Sequence, residues 1–104
     1  MAHAGELETS VYLYLNREAV QLEKAERDIN FHPSKFYWVD LMGASPFVMM
    51  DWWSRISKTG TIGDPTVATE EKGKRFFDAA VSRLVELIQE FRSFEIRPRS
   101  DKHG

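Results

Sequence analysis

The sequence predicts an α/β-class chain that is rich in helix and poor in strands of its own. That is the pattern of terminal helices that cover one face of a sheet. Three observations predict it. Residues 66–94 carry one long amphipathic helical pattern. Val11-Tyr12-Leu13-Tyr14-Leu15 is an unbroken apolar run preceded by Glu6, Glu8, Thr9 and Ser10. Between these segments there is little of the alternation that marks a half-buried strand. A lone amphipathic helix and one apolar segment need a surface to cover, so the chain reads as the end of a sheet protein rather than a free-standing domain.

Residues 1–27 form the first segment. Taken alone, Val11–Leu15 fits a buried strand or a buried helix. The acids just before it suit a first helical turn, where carboxylates meet the positive end of the macrodipole, so helix is preferred. Asn16 is then the predicted stop, and a predicted cap for a short helix starting at Arg17. Gln21 to Arg27 is charged and expected to be exposed.

Residues 28–63 are predicted to be irregular. They carry Phe36, Tyr37, Trp38, Phe47, Trp52 and Trp53. Val39 to Met42 is expected as a short strand, followed by a turn at Gly43-Ala44-Ser45-Pro46. Phe47 to Ile56 is expected as a short helix capped by Ser45, with Pro46 at its first position. Lys58 to Pro65 reads as a loop. The first expectation for this aromatic and methionine-rich region is ordinary core, because buried aromatics dominate packing. A subunit contact and a substrate-lining flap are the alternatives.

Residues 64–95 are the clearest segment. Phe77, Ala80, Val81, Leu84, Leu87, Ile88 and Phe91 recur at steps of three and four, while Lys74, Asp78, Arg83, Glu86 and Glu90 take the other face. Two starts compete: Asp64 as a cap followed by Pro65, or Thr69 as a cap followed by Glu70 and Glu71. Gly73 costs about 1 kcal/mol relative to alanine inside a helix, so it is expected to mark close packing. Pro98 ends any helical continuation. Residues 96–104 are a tail, locally basic but short.

Composition bounds the function classes. The chain has 104 residues, 42% of them hydrophobic and 29% charged, with a net charge of −2. A chain of this mass, once compact, exposes about 6,000 Å². The charge balance favours neither nucleic acid nor an anionic membrane. There is no cysteine, which excludes disulfides and thiolate metal sites. No signal-peptide pattern and no membrane-spanning run is visible, so a cytoplasmic protein is expected.

The segment most suggestive of chemistry is His3-Ala4-Gly5-Glu6-Leu7-Glu8-Thr9-Ser10. Breaking a C–N bond requires a proton for the departing nitrogen. Histidine suits this because its ordinary pKa is about 6.5. If a helix starts at Gly5, His3 sits in the entry turn and Glu8 in the first turn, within reach of each other. Gly5 would permit a tight turn or a close backbone approach. From spacing alone, a solvated histidine before an ordinary acidic helical turn is the preferred reading. His32 reads as a loop residue and His103 as part of the tail.

His3, Ala4, Gly5, Glu8, Thr9 and Ser10, followed by an apolar helix, resemble a segment of the creatininase (creatinine amidohydrolase) family. A second block agrees in order. Thr61-Ile62-Gly63-Asp64-Pro65-Thr66-Val67-Ala68-Thr69-Glu70-Glu71-Lys72-Gly73 is similar to the block that opens the family's last helix. The resemblance covers both ends of the chain and is weak in the middle. It implies a C-terminal portion of a layered α/β/α sandwich. It implies that His3 is the active-site histidine, touching substrate and donating a proton, and that Glu8 supports it. Thr9 and Ser10 are expected to cap or pack, and Glu6 to be solvated. The family's divalent metal pair, zinc or manganese, draws its ligands from earlier blocks that this sequence does not contain. No metal ligand is therefore assigned in this chain.

The expectation is an amidohydrolase portion acting on a non-peptide C–N bond of a small-molecule amide. It would be inactive without the metal-binding N-terminal half, supplied in cis or in trans, and would be a homo-oligomer. A non-catalytic interaction or subunit protein, using the aromatic middle as its interface, is the alternative.

Overall fold

The computed structural model describes residues 2–32 and 34–104; Met1 and Pro33 lie outside the described residues. Three α-helices appear in chain order: α1 over Glu6–Asn16, α2 over Trp53–Ile56 and α3 over Glu70–Arg92. Short 3₁₀ turns occupy Arg17–Ala19, Leu22–Lys24 and Pro65–Val67. Among the described residues there is no extended strand. Two isolated antiparallel bridges, His3 with Ile62 and Asp28 with Gly63, are the only sheet-like pairings there.

α1 forms as its acidic first turn and apolar run predict, with Glu6 and Glu8 at the positive end. It stops at Asn16, but Asn16 makes no side-chain cap, and the chain continues in a 3₁₀ turn. Both candidate starts of the last helix are used. The Asp64 side chain accepts from Thr66 N–H and caps the 3₁₀ turn that begins at Pro65. Thr69 then accepts from Lys72 N–H and caps α3 itself.

The core lies where α1 crosses the first turns of α3. Leu13 and Ile62 are each 2% exposed and Ser10 is fully buried. Burying one such leucine contributes about 1.5–3 kcal/mol. Gly73 is the contact point. A Cβ placed there would lie 1.8 Å from the Ser10 carbonyl oxygen, so no side chain fits. The Ser10 hydroxyl accepts the Thr69 N–H at 3.1 Å, satisfying a donor at the start of α3. Lys72 Nζ reaches Glu6 at 2.7 Å and joins the first turns of both helices. Glu6 is therefore half-buried and paired, not solvated as expected.

Two expected elements of the middle segment are absent. Val39–Met42 is not a strand, because the Asp40 carboxylate accepts the Met42 N–H at 2.9 Å and curls the backbone into an Asx-type turn. Phe47–Ile56 is helical only over Trp53–Ile56. Ser45 does not cap it: its hydroxyl donates to the Phe47 carbonyl at 2.7 Å, while Phe47 N–H donates to Phe36. The Phe47 carbonyl thus turns back to Ser45 and its N–H to Phe36, and the chain is not helical there.

The aromatic middle is not core in this chain. Phe36, Met50 and Trp52 are largely exposed. The far part of α3 is exposed as well, including Leu84, Leu87, Ile88 and Phe91. The radius of gyration is 19.1 Å, where about 13 Å is usual for a compact chain of this length. The surface of 9036 Å² exceeds the compact value of about 6,000 Å² by half.

Candidate active site

His3 sits at the edge of the packed corner. Its N–H donates to the Ile62 carbonyl at 3.0 Å and its carbonyl accepts the Ile62 N–H at 2.8 Å. The chain then turns sharply into α1. That turn is made by Ala4, at φ +48°, a left-handed conformation that costs a non-glycine residue about 1–3 kcal/mol. Gly5 is not the positive-φ residue. It serves instead as the close approach: a Cβ on Gly63 would meet the Gly5 Cα at 3.0 Å.

The surrounding groups hold Ala4 in this conformation. The Glu8 carboxylate reaches back and accepts the Ala4 N–H at 2.5 Å. The Thr9 hydroxyl donates to the Ala4 carbonyl at 3.2 Å. The Glu8 bond is the returning half of a capping box, reaching one residue further back than usual. It also decides what Glu8 does. Among the described residues no hydrogen bond or ion pair joins the imidazole to Glu8. The carboxylate fixes the backbone that carries His3 rather than the ring. Glu8 also lines a shallow surface groove with Thr9, Tyr12 and Val20.

The imidazole itself is exposed and meets Trp53 edge to face, with ring centroids 5.2 Å apart and an interplanar angle of 87°. Trp53 donates its indole N–H to the Gly60 carbonyl at 3.1 Å. The loop around Gly60 is organised by Asp28. Its Oδ2 accepts Lys58 N–H at 2.8 Å, Thr59 N–H at 2.9 Å and the Thr59 hydroxyl at 2.9 Å. The Ser57 hydroxyl lies 3.0 Å from the same oxygen. The Thr59 backbone bond, then the Thr59 hydroxyl, hold the Asp28 carboxyl below the ordinary carboxylate value; Lys58 N–H and the Ser57 hydroxyl add to this against a partial desolvation cost.

The structure therefore brings His3 and Glu8 to one turn, with separate contacts. His32 and His103 are both exposed, in the loop and the tail. Trp53 and Asp28 are the residues that sequence reasoning missed. Asp28 is about thirty residues from the amides it binds, so no local spacing announces it. Trp53 was visible only as one aromatic among several.

The fit of a metal ion can be tested on the donors present. Among the described residues no three of His, Asp and Glu converge on a common point. The Glu8 carboxylate is taken by the Ala4 amide, and the imidazole packs on an indole. This donor set does not fit a metal pair. No helix among the described residues is long and apolar enough to cross a membrane.

Comparison with known proteins places the corner in a family. The profile of the creatininase family, described as creatinine amidohydrolase, matches residues 1–88. The chain is similar to a mycofactocin precursor peptide peptidase of Mycobacterium tuberculosis, 36% identical over 86 residues. That match covers 83% of this chain and 31% of the relative. The Mycobacterium ulcerans counterpart is 34% identical over 87 residues, covering 84% of this chain and 32% of the relative. A crystal structure from Bacteroides fragilis, assigned as a creatinine amidohydrolase, superimposes with a TM-score of 0.67 at 27% identity. It covers 92% of this chain and 36% of that one. The chain thus spans about a third of the length of the relatives it matches. This chain belongs to the creatininase (creatinine amidohydrolase) family.

Proposed function

We propose that this chain supplies the proton-donating side of a creatininase-family amidohydrolase site. The observation that carries the reading is the placement of His3. Its backbone is bonded on both sides to Ile62, while its ring is exposed at the surface of the corner with one edge-to-face contact to Trp53. An imidazolium so held can give its proton to the nitrogen of an amide as the C–N bond breaks, so that the amine leaves neutral. Glu8 supports this by fixing the Ala4 turn. Attack on the carbonyl falls to groups outside these residues, and no step is assigned to them here.

Substrate contact is assigned to His3. The expected substrate is a small-molecule amide. The names of the mycobacterial relatives bring a peptide amide into the same bond class. The partner proposed for this chain is the metal-binding remainder of a creatininase-type domain, in cis or in trans. With it, α1 and α3 would form one outer layer of an α/β/α sandwich. The exposed apolar face of α3 favours such a covering, and self-association into a homo-oligomer is part of the same proposal.

The test is to assemble the chain with that remainder and compare His3→Ala with the parent. Turnover of an amide substrate should fall about 10²-fold or more, the usual contribution of a positioned general acid. Metal content should stay the same. Equal loss of metal and activity would overturn the proton-donor role.

The second reading is a non-catalytic interaction protein that uses the aromatic middle. Met50, at 97% exposure, and Trp52, at 72%, favour it. Binding of a partner that is lost in Trp52→Ser, with no amide hydrolysis in the assembled protein, would select it over the first.

A further inference from the structure

We infer that Trp53 is the positioning residue for the His3 imidazole. The inference rests on the proton-donor reading of His3 for its meaning, and on independent contacts for its geometry.

A histidine with an exposed, uncontacted ring has two freely rotating side-chain torsions and no fixed direction for its nitrogens. Proton transfer requires the opposite, since effectiveness falls when the donor is misplaced by even about 1 Å. Glu8 does not supply the constraint, because its carboxylate is engaged with the Ala4 amide. Among the described residues, the aromatic contact of the imidazole is the indole of Trp53, perpendicular to it at 5.2 Å. Such edge-to-face pairs are favoured beyond their area burial and bias the ring toward one orientation.

A wall that steers a ring must itself be fixed, and Trp53 is. Its backbone opens α2, and its indole N–H is tied to the Gly60 carbonyl at 3.1 Å. Gly60 in turn is held by its own N–H, donated to the Ser57 hydroxyl at 2.8 Å. Asp28 gathers the rest of that loop through Lys58 and Thr59. The same loop continues through Thr61 to Ile62, which pairs with the His3 backbone. The loop therefore fixes both halves of the contact. One end sets where the His3 Cα sits, and the other sets the plane against which its ring rests. Trp52, the neighbouring tryptophan, is 72% exposed and pairs with no ring among the described residues, and serves as the control.

The test uses proton NMR of the 104-residue chain. The His3 ring protons, assigned by their loss in His3→Gln, should be displaced by the indole ring current relative to those of His103 in the tail. Trp53→Leu should collapse that displacement onto the His103 position. Trp53→Phe, which keeps a ring but loses the Gly60 bond, should give an intermediate value. Trp52→Leu should leave it unchanged. The Ile62 amide resonance reports whether the His3 bridge survives, which separates loss of the wall from loss of the fold. His3 ring protons that are undisplaced in the parent, or unchanged in Trp53→Leu with the bridge intact, would overturn the inference. In the assembled enzyme, Trp53→Leu should lower kcat about tenfold with KM little changed, and Trp53→Phe should restore part of it. A Trp53→Leu enzyme with parental kcat would also overturn it. If instead His3→Ala keeps full turnover while the NMR displacement depends on Trp53, the proton-donor reading fails and the positioning geometry stands.

Discussion

The first two turns of α3 and its remaining length belong to one helix with one pattern, yet they live in different surroundings. Up to about Phe77 the helix is packed. Gly73 touches the Ser10 carbonyl, Lys72 pairs with Glu6, and Phe77 stacks at a tilt on Tyr14 with centroids 5.7 Å apart. From residue 78 onward every position is exposed, including Leu84, Leu87 and Phe91. The lesson concerns what an amphipathic stripe says. Periodicity fixes which face of a helix is apolar, but not whether this chain provides the surface that covers it. An isolated helix of this length is marginal in water, so the distal part of α3 borrows stability from the packed part or from a partner.

Variants can break that comparison, and the largest effect is expected at Gly73. Gly73→Ala forces a methyl into the Ser10 carbonyl, and backbone cannot move aside as a flexible side chain can. Overpacking of this kind costs about 3 kcal/mol. Thermal melting followed by circular dichroism should show a large loss of stability, although alanine is the better helix former. An unchanged or raised melting temperature would mean the two helices do not meet there.

Ser10→Ala comes next. It removes the acceptor for the Thr69 N–H at the start of α3, a partly buried hydrogen bond worth about 1 kcal/mol. Denaturant midpoints of the two proteins would measure it, and coincident midpoints would remove Ser10 from the cap.

The acid limb sharpens the comparison from the loop side. The Asp28 carboxyl titrates below its ordinary value in the folded chain, chiefly through the Thr59 backbone bond. A lowered folded pKa contributes stability that is fully present above the unfolded value of about 3.9 and is lost as pH falls through the lower folded one. Tryptophan fluorescence followed from pH 6 downward should show the parent weakening below about pH 4. Asp28→Asn should already lack this contribution at pH 6 and should respond less to acid. Superimposable acid curves would show that the Asp28 cage does not contribute.

The smallest effect in an uncovered chain is expected on the distal part of α3. Leu87→Gln touches a side chain that is 60% exposed and should change stability by less than about 0.5 kcal/mol. A loss of several kilocalories, or a change in sedimentation behaviour, would show that this face is covered in solution.

Several local features were legible from the residues themselves. Glu6 and Glu8 before an apolar run gave a helix where one forms. Asp64-Pro65 and Thr69-Glu70-Glu71 looked like rival starts and turned out to be consecutive caps, each for its own turn. Gly73 announced close packing through its cost in a helix. The failures have identifiable causes as well. Ser45 and Phe47 look like a helix start, but the Ser45 hydroxyl turns to the Phe47 carbonyl and the Phe47 N–H pairs with Phe36, eleven residues back. Val39–Met42 had strand-like residues, but the Asp40 side chain competed for the Met42 amide.

The sequence by itself determined the identities and spacing that carry the family: a histidine before an acidic helical turn, and a capped helix with a glycine in its first turns. Those are local matters of propensity, capping and order along the chain. Tertiary structure alone decided how the site is built. It took Glu6 to Lys72, and brought Trp53 against the His3 ring through a loop gathered by Asp28. These contacts join residues as many as 66 positions apart, between Glu6 and Lys72. Side-chain partners at that separation are set by which surfaces meet in space, and no period along the chain encodes them.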